Sequence, residues 1–264
     1  MNILQAVILG IVQGFAEFLP ISSSGHLVLF QKMFGLKQNM VLFDVAVHVG
    51  TLVPICVVFW KDIWALVRKP FQKTTYLLVV ATLPAVVAAL LFGDAIDALF
   101  KGGLFLAIGF IITGVVLMYS DMITEGNKKM RDLSYLDALI IGCVQAIAIA
   151  PGISRSGSTI TAAQSRKVTR QSAAKFSFLM SIPAVLGGLV LQVKDIITGS
   201  VPAESITLLP IIVGLLAAML AGYLSIRFML KLIYAAKLRY FSYYVFAVAL
   251  FILFDSFITH FFFN

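Results

Sequence analysis

From the N-terminus onward the chain alternates long apolar runs with short polar breaks. Residues 3–19, 41–60, 76–93, 104–120, 176–193, 206–226 and 241–262 are apolar over lengths that suit one bilayer crossing, which takes about 20 helical residues. The run at 3–19 meets Pro20, which has no N–H to donate and whose ring clashes with the preceding turn. Beyond Ser22, Ser23 and Ser24 only a short apolar helix, Gly25 to Phe34, is predicted. Two short apolar pieces broken by Pro and Gly predict a re-entrant hairpin. Irregular backbone of this kind survives at membrane depth only where protein buries it or it lines a wet cavity.

The pattern then recurs. With Gln13 laid over Gln145, an offset of 132 residues, Ile8-Leu9-Gly10-Ile11-Val12-Gln13 falls on Ile140-Ile141-Gly142-Cys143-Val144-Gln145. On the same offset Ser22-Ser23-Ser24-Gly25-His26 falls on Ser154-Arg155-Ser156-Gly157-Ser158. A single membrane domain of two repeats, 1–127 and 128–264, is therefore expected, linked through 121–134. Each repeat holds one broken hairpin and three crossings, and an odd number of crossings turns the second repeat upside down. The predicted fold is an all-α polytopic integral membrane protein of inverted-topology repeats. It has about six full transmembrane helices and two re-entrant helical hairpins that meet near the midplane.

Composition agrees: 61% of the 264 residues are hydrophobic and 12% charged, against about 45–50% and 25% in soluble domains. The net charge of +8 would suit nucleic acid in a soluble protein, but here the basic residues gather in loops, as they do on the cytoplasmic side of membrane proteins. Loop 61–75 carries Lys61, Arg68, Lys69 and Lys73 against Asp62. Lys128, Lys129 and Arg131, then Arg166, Lys167, Arg170 and Lys175, then Arg227, Lys231, Lys237 and Arg239 mark three further cytoplasmic stretches. The loops with Asp94, Asp97 and Lys101, and with Lys194, Asp195 and Glu204, have no basic excess and are expected outside. Lys32 and Lys37 fall against this assignment. Cys56 and Cys143 read as small buried hydrophobes, not a disulfide or metal pair. Met1 to Gln5 lack the basic region and cleavage site of a signal peptide, so they are expected to stay in the mature fold.

Chemistry concentrates in the two breaks. Ionisable groups at membrane depth are costly and mark functional sites. Ser22 and Ser154 stand at helix starts, where a side-chain oxygen caps free N–H groups and the helix end favours anions. Two such ends with Arg155 between them predict a phosphate pocket, since the guanidinium fork takes phosphate oxygens bidentately. Ser23, Ser24 and Ser156 add donors, and Gly25 and Gly157 would let backbone approach a ligand. His26 in a first helical turn is expected to be neutral, with a ring nitrogen able to attack phosphorus or take a proton. Glu17 could fix the His26 tautomer, coordinate a divalent ion or position water. Gln13 shares the face of Glu17 and offers only neutral dipoles, with Gln145 as its counterpart. Asp44 and His48 share another face, as a local pair or a site. Competing readings are a snorkelling Arg155 and a structural His26.

These residues resemble the undecaprenyl-diphosphate phosphatases, the bacitracin-resistance membrane family. That family combines a Glu/Gln-x-x-x-Glu run leading into Pro-x-Ser-Ser-x-Gly-His with a Pro-Gly-x-Ser-Arg-Ser-Gly stretch. Here they read Gln13 to Glu17, Pro20 to His26, and Pro151 to Gly157. The resemblance implies hydrolysis of undecaprenyl (C55) diphosphate to the monophosphate and inorganic phosphate, which recycles the lipid carrier of peptidoglycan synthesis and confers bacitracin resistance. It implies a divalent cation, Mg²⁺ or Ca²⁺, with Glu17 as a ligand, and an essential set of Glu17, His26 and Arg155. Gln13 stands where many members have Glu, which weakens a two-carboxylate metal site. The expected partners are a polyprenyl diphosphate lipid and membrane lipids, without nucleic acid; a homodimer stays open. The expected location is the bacterial plasma membrane, with the active site opening outward. The alternative is a transporter or flippase for polyprenyl phosphate lipids built on the same anion site. A membrane-embedded acid phosphatase fold would need a second His and a Lys/Arg spacing absent here.

Overall fold

In lipid a helix satisfies its own backbone, so apolar runs of this length fold as helices. The structure, a computed structural model, describes residues 1–36, 40–197, 208–234 and 238–263, and these form helices with no β-strand. In chain order they are α1 (Ile3–Phe18), α2 (Ser23–Met33), α3 (Val41–Val58), α4 (Trp60–Arg68), α5 (Lys73–Leu99) and α6 (Gly103–Met122). Then follow α7 (Tyr135–Ile147), α8 (Arg155–Ser165), α9 (Arg170–Ile197), α10 (Leu208–Tyr234) and α11 (Arg239–Phe254). Six of them, α3, α5, α6, α9, α10 and α11 with the π-helical turn Asp255–Thr259 that continues it, are long and apolar enough to span a bilayer. The chain is a multi-pass membrane protein.

Small residues set the packing, because they let helix backbones approach closely where lipid gives no hydrophobic drive. α1 lies along α10, and a side chain at Gly10 or Gly14 would collide with the Gly214 or Ala218 carbonyl. α7 lies along α5, with Gly142 against the Ala81 carbonyl. α6 pairs with α11, where Gly114 receives the Phe246 ring. Of the short helices, α8 is the most enclosed, with every residue from Ser156 to Gln164 buried.

Several expectations change. The stretch 61–75 is not a plain loop: α4 occupies most of it. α5 runs well past the predicted 76–93, with non-helical backbone at Phe92. Cys143 is exposed and Cys56 only half-buried, both free, so Cys143 is not a core residue. Lys32 does not argue about sidedness, because its Nζ lies over the Phe263 ring, 4.5 Å from the centroid, and reaches the Lys101 carbonyl at 3.5 Å. Lys37, Glu204 and Lys237, and with them most of the 194–205 loop, lie outside the described residues.

The link between the predicted halves is tied down by charge. Asp137, in the first turn of α7, is buried and accepts Lys128 Nζ at 3.0 Å and Arg166 Nε at 2.7 Å. Burial opposes its ionisation, but the hydrogen bonds from Arg166, the Ser134 backbone and Lys128 outweigh it and hold the carboxyl well below the usual carboxylate range.

Candidate functional site

α1 presents Gln13 and Glu17 one turn apart near its C-terminal end, both buried. Past Leu19 the chain turns through Ser22, whose φ of 71° is in the left-handed region that non-glycine residues seldom occupy. That turn aims α2 back at the end of α1. The Ser22 Oγ accepts the Gly25 N–H at 3.3 Å, and Ser154 does the same for Gly157 at 3.1 Å at the start of α8. The second break is pinned to α6: Ser154 N–H donates to Thr113 Oγ1, whose hydroxyl donates to the Gly152 carbonyl, each at 2.8 Å.

The two breaks meet. Arg155 Nη2 donates to Glu17 Oε1 at 2.5 Å, and Ser156 Oγ donates to the Leu19 carbonyl at 3.3 Å. The other carboxylate oxygen, Oε2, accepts Ser23 Oγ at 2.7 Å and Gln13 Nε2 at 3.1 Å. Arg155 also sends Nη1 to the Ser177 carbonyl of α9 at 3.4 Å. The Arg155 side chain keeps 16% exposure and Glu17 only 7%, so the pair is largely withdrawn from water. Its guanidinium stays charged and keeps donors to offer an anion.

Gly25 and Gly157 stand where the packing is tight. A Cβ on Gly25 would meet Phe110 at 2.7 Å and the Gly152 Cα at 3.0 Å; one on Gly157 would meet Leu117 and Pro20, each at 3.1 Å. The space over each glycine is filled by an α6 side chain together with the opposite break, so these glycines allow the two breaks to touch each other.

His26 is buried and is not bonded to Glu17, contrary to the expectation that the carboxylate sets its tautomer. Its Nδ1 is 2.7 Å from the Ser22 carbonyl, which can only accept, so Nδ1 carries the proton in the neutral ring. Nε2 is then the lone-pair nitrogen, and it accepts the Tyr244 hydroxyl at 2.8 Å. The Tyr244 ring stacks on the imidazole at 5.6 Å, and Phe110 meets it edge-on at 5.1 Å. Tyr244, Thr113, Ser177 and Phe110 are the contributors that sequence reasoning missed. Nothing in an aromatic-rich span separates Tyr244 from Tyr240 or Tyr243.

The remaining candidates divide. Ser24 joins Ser22 at 3.4 Å, and Ser154 joins Ser156 at 3.3 Å. Gln145 is not brought to Glu17: its Nε2 reaches the Ala81 carbonyl at 3.4 Å, at the contact of α7 with α5. Asp44 and His48 are joined locally along α3. His48 Nδ1 donates to the Asp44 backbone carbonyl at 2.7 Å, and the Asp44 carboxylate accepts Gln31 at 2.9 Å.

Among the described residues no three His, Cys, Asp or Glu side chains gather as a metal site. The donors around Glu17 still suit a hard cation held mainly by phosphate and water, since Mg²⁺ often takes only one or two protein carboxylates. The oxygens that could serve are the Glu17 carboxylate, which here accepts Arg155, Ser23 and Gln13, the Ser23 Oγ, and the Gln13 Oε1, which is buried without a hydrogen-bond partner.

The family model described as Bacitracin resistance protein BacA matches residues 6–251. A protein of Carboxydothermus hydrogenoformans named undecaprenyl-diphosphatase is 47% identical over 253 residues, 96% of this chain and 97% of its own. One of Bacillus thuringiensis subsp. konkukian, named undecaprenyl-diphosphatase 4, is 45% identical over the same shares of the two chains. One of Methanosphaera stadtmanae, again named undecaprenyl-diphosphatase, is 40% identical over 92% of this chain and 94% of its own. With the match running through both breaks and nearly every helix, the chain belongs to the bacitracin resistance protein BacA family.

Proposed function

We propose that this protein hydrolyses undecaprenyl diphosphate to undecaprenyl phosphate and inorganic phosphate, returning the lipid carrier to envelope synthesis and conferring bacitracin resistance. The observation that carries the reading is the meeting of Glu17, Ser23 and Arg155, drawn from both breaks, on the hairpin that also holds His26 with a directed Nε2 lone pair.

The two breaks are re-entrant hairpins of inverted repeats. Support comes from contacts that recur on the 132-residue offset: Gly25 abuts Gly152, and Gly157 abuts Pro20, the offset partner of Gly152. Likewise α1 lies on α10 and α7 on α5, and Ser22 and Ser154 cap equivalent N–H groups. The basic residues gathered in loops point the pocket toward the outer side of the plasma membrane, with the isoprenoid tail in an apolar groove between helices.

In the reaction Arg155, the hydroxyls and the helix-end N–H groups hold the terminal phosphoryl group and neutralise charge as it develops. His26 Nε2 receives the proton of an attacking water, or itself attacks phosphorus in line. The bond from the terminal phosphorus to the bridging oxygen breaks, and undecaprenyl phosphate departs; in the direct route a water then cleaves the P–N bond to His26 and releases inorganic phosphate. Glu17 and the Gln13 Oε1 would hold a divalent cation, which supplies charge neutralisation at the phosphate. Acid-labile phosphate trapped on His26 by rapid quench separates direct attack from the water route.

The test is phosphate release from C55 diphosphate by purified protein in detergent, where there are no sides to transport between. Wild type should turn over with Mg²⁺ or Ca²⁺, and His26→Ala and Arg155→Ala should lose about 100-fold or more. An inactive wild type overturns the function; near-normal variants overturn the site. Calorimetric binding of Mg²⁺ or Ca²⁺ to wild type, matched by Glu17→Gln, would remove Glu17 as a ligand.

A further inference from the structure

α4 has no buried residue, yet it is not polar all round. Trp60, Trp64 and Val67, spaced four and three apart, share one face and are 57%, 43% and 64% exposed. Phe71, just past the helix end, is 86% exposed. The face is not turned outward by chance, because the side running from Ile63 round to Asp62 is fixed. Ile63 and Leu66 pack against the core, and Asp62 takes Lys175 Nζ of α9 at 2.6 Å. The tryptophans stack on each other at 5.6 Å, so the stripe is a preformed surface.

Connectivity fixes the level at which this stripe lies. α3 ends at Val58 and α5 begins at Lys73, and both are candidate spans, so α4 joins two spans at one bilayer surface. Charge then identifies the occupant. Lys61 and Arg68 fall on the same flank of the stripe, and Lys69 follows at the helix end. The acid of the segment, Asp62, is already neutralised by Lys175. The Arg68 guanidinium lies over the Trp64 ring, 5.0 Å from its centroid. This couples a cation to an aromatic residue of the type that settles at headgroup level.

We propose that α4 lies in the plane of the membrane interface and binds anionic lipid headgroups. Trp60, Trp64 and Val67 enter the acyl boundary, and Lys61, Arg68 and Lys69 meet the headgroup phosphates. A second copy of the chain would leave three cations facing their like, which disfavours it as the cover.

The chain contains two tryptophans, and both are on α4, so intrinsic tryptophan emission reports on this helix alone. The experiment uses the full chain in phosphatidylcholine vesicles doped with lipid brominated near the headgroup end of its acyl chains. The brominated lipid carries either a phosphatidylglycerol or a phosphatidylcholine head. Both should quench, with brominated phosphatidylglycerol effective at a mole fraction about five-fold lower or more, a factor expected from even one engaged cation. In Lys61→Gln/Arg68→Gln/Lys69→Gln the two lipids should quench alike. Absence of quenching in wild type overturns the proposal, and blue-shifted but unquenched emission assigns the face to a protein cover instead. Equal quenching by the two headgroups in wild type overturns the anionic selection.

Discussion

Glu17, in the last turn of α1, and Arg155, the first residue of α8, are ion-paired across 138 residues of sequence. Neither side chain is well hydrated, so each is the other's main electrostatic compensation there. Arg155→Ala should therefore cost about 3–5 kcal/mol of stability as well as turnover, because it strands a buried carboxylate. The double variant Glu17→Gln/Arg155→Met should recover most of that stability and none of the phosphate release. Thermal unfolding in detergent beside a phosphate assay measures both. Recovery of activity in the double variant would contradict the proposed role of the pair.

The contact between the breaks should be intolerant of a single methyl group. Gly25→Ala forces a Cβ onto Phe110 and the Gly152 backbone and should destabilise by about 1–3 kcal/mol. Gly152→Ala should be worse, since its φ of +82° adds left-handed strain to a collision with the Leu106 carbonyl. Gly35→Ala is the control: φ is +62° but nothing lies within 4 Å, so only about 1 kcal/mol of strain is expected. A lower unfolding midpoint for Gly35→Ala than for Gly25→Ala or Gly152→Ala would refute the steric account.

Tyr244→Phe should leave the His26 tautomer unchanged, because the Ser22 carbonyl sets it, while altering the environment of Nε2. Histidine ¹⁵N spectra of wild type and variant should show Nδ1 still protonated and the Nε2 resonance displaced. If Nδ1 loses its proton in the variant, the hydroxyl and not the carbonyl is the orienting group.

Asp137, outside the six spans, makes stability depend on acid. Its folded pKa is depressed, so its contribution is complete above the ordinary carboxylate value of about 4 and is lost as pH falls below that toward the folded pKa. Asp137→Asn should be less stable than wild type at neutral pH and flatter between about pH 4 and pH 2. Parallel pH–stability curves would show that the Lys128–Asp137–Arg166 cluster carries none of this linkage.

The apolar runs foretold the six spans because run length and helix length are set by the same bilayer thickness. Ser22 and Ser154 were readable as caps, since capping is local and needs only the right oxygen at a helix start. The partner of His26 was not readable: Tyr244 lies 218 residues away, and the Ser22 carbonyl belongs to a backbone whose turn has no side-chain signature. The glycines were legible as places of close approach, but not whether ligand or backbone would approach. α4 was hidden by its charges, which mark a loop as readily as a helix lying flat.

The Glu17–Arg155 pair also has a history within each molecule. A ribosome making about 5–20 residues per second needs roughly 7–28 s to add the 138 residues that separate them. For that interval α1 must be held at the translocon or in the young bilayer with its acid still waiting for a counter-ion. Biogenesis of this protein therefore passes through a stage in which the Glu17 carboxylate has Gln13 and Ser23 beside it but not yet Arg155.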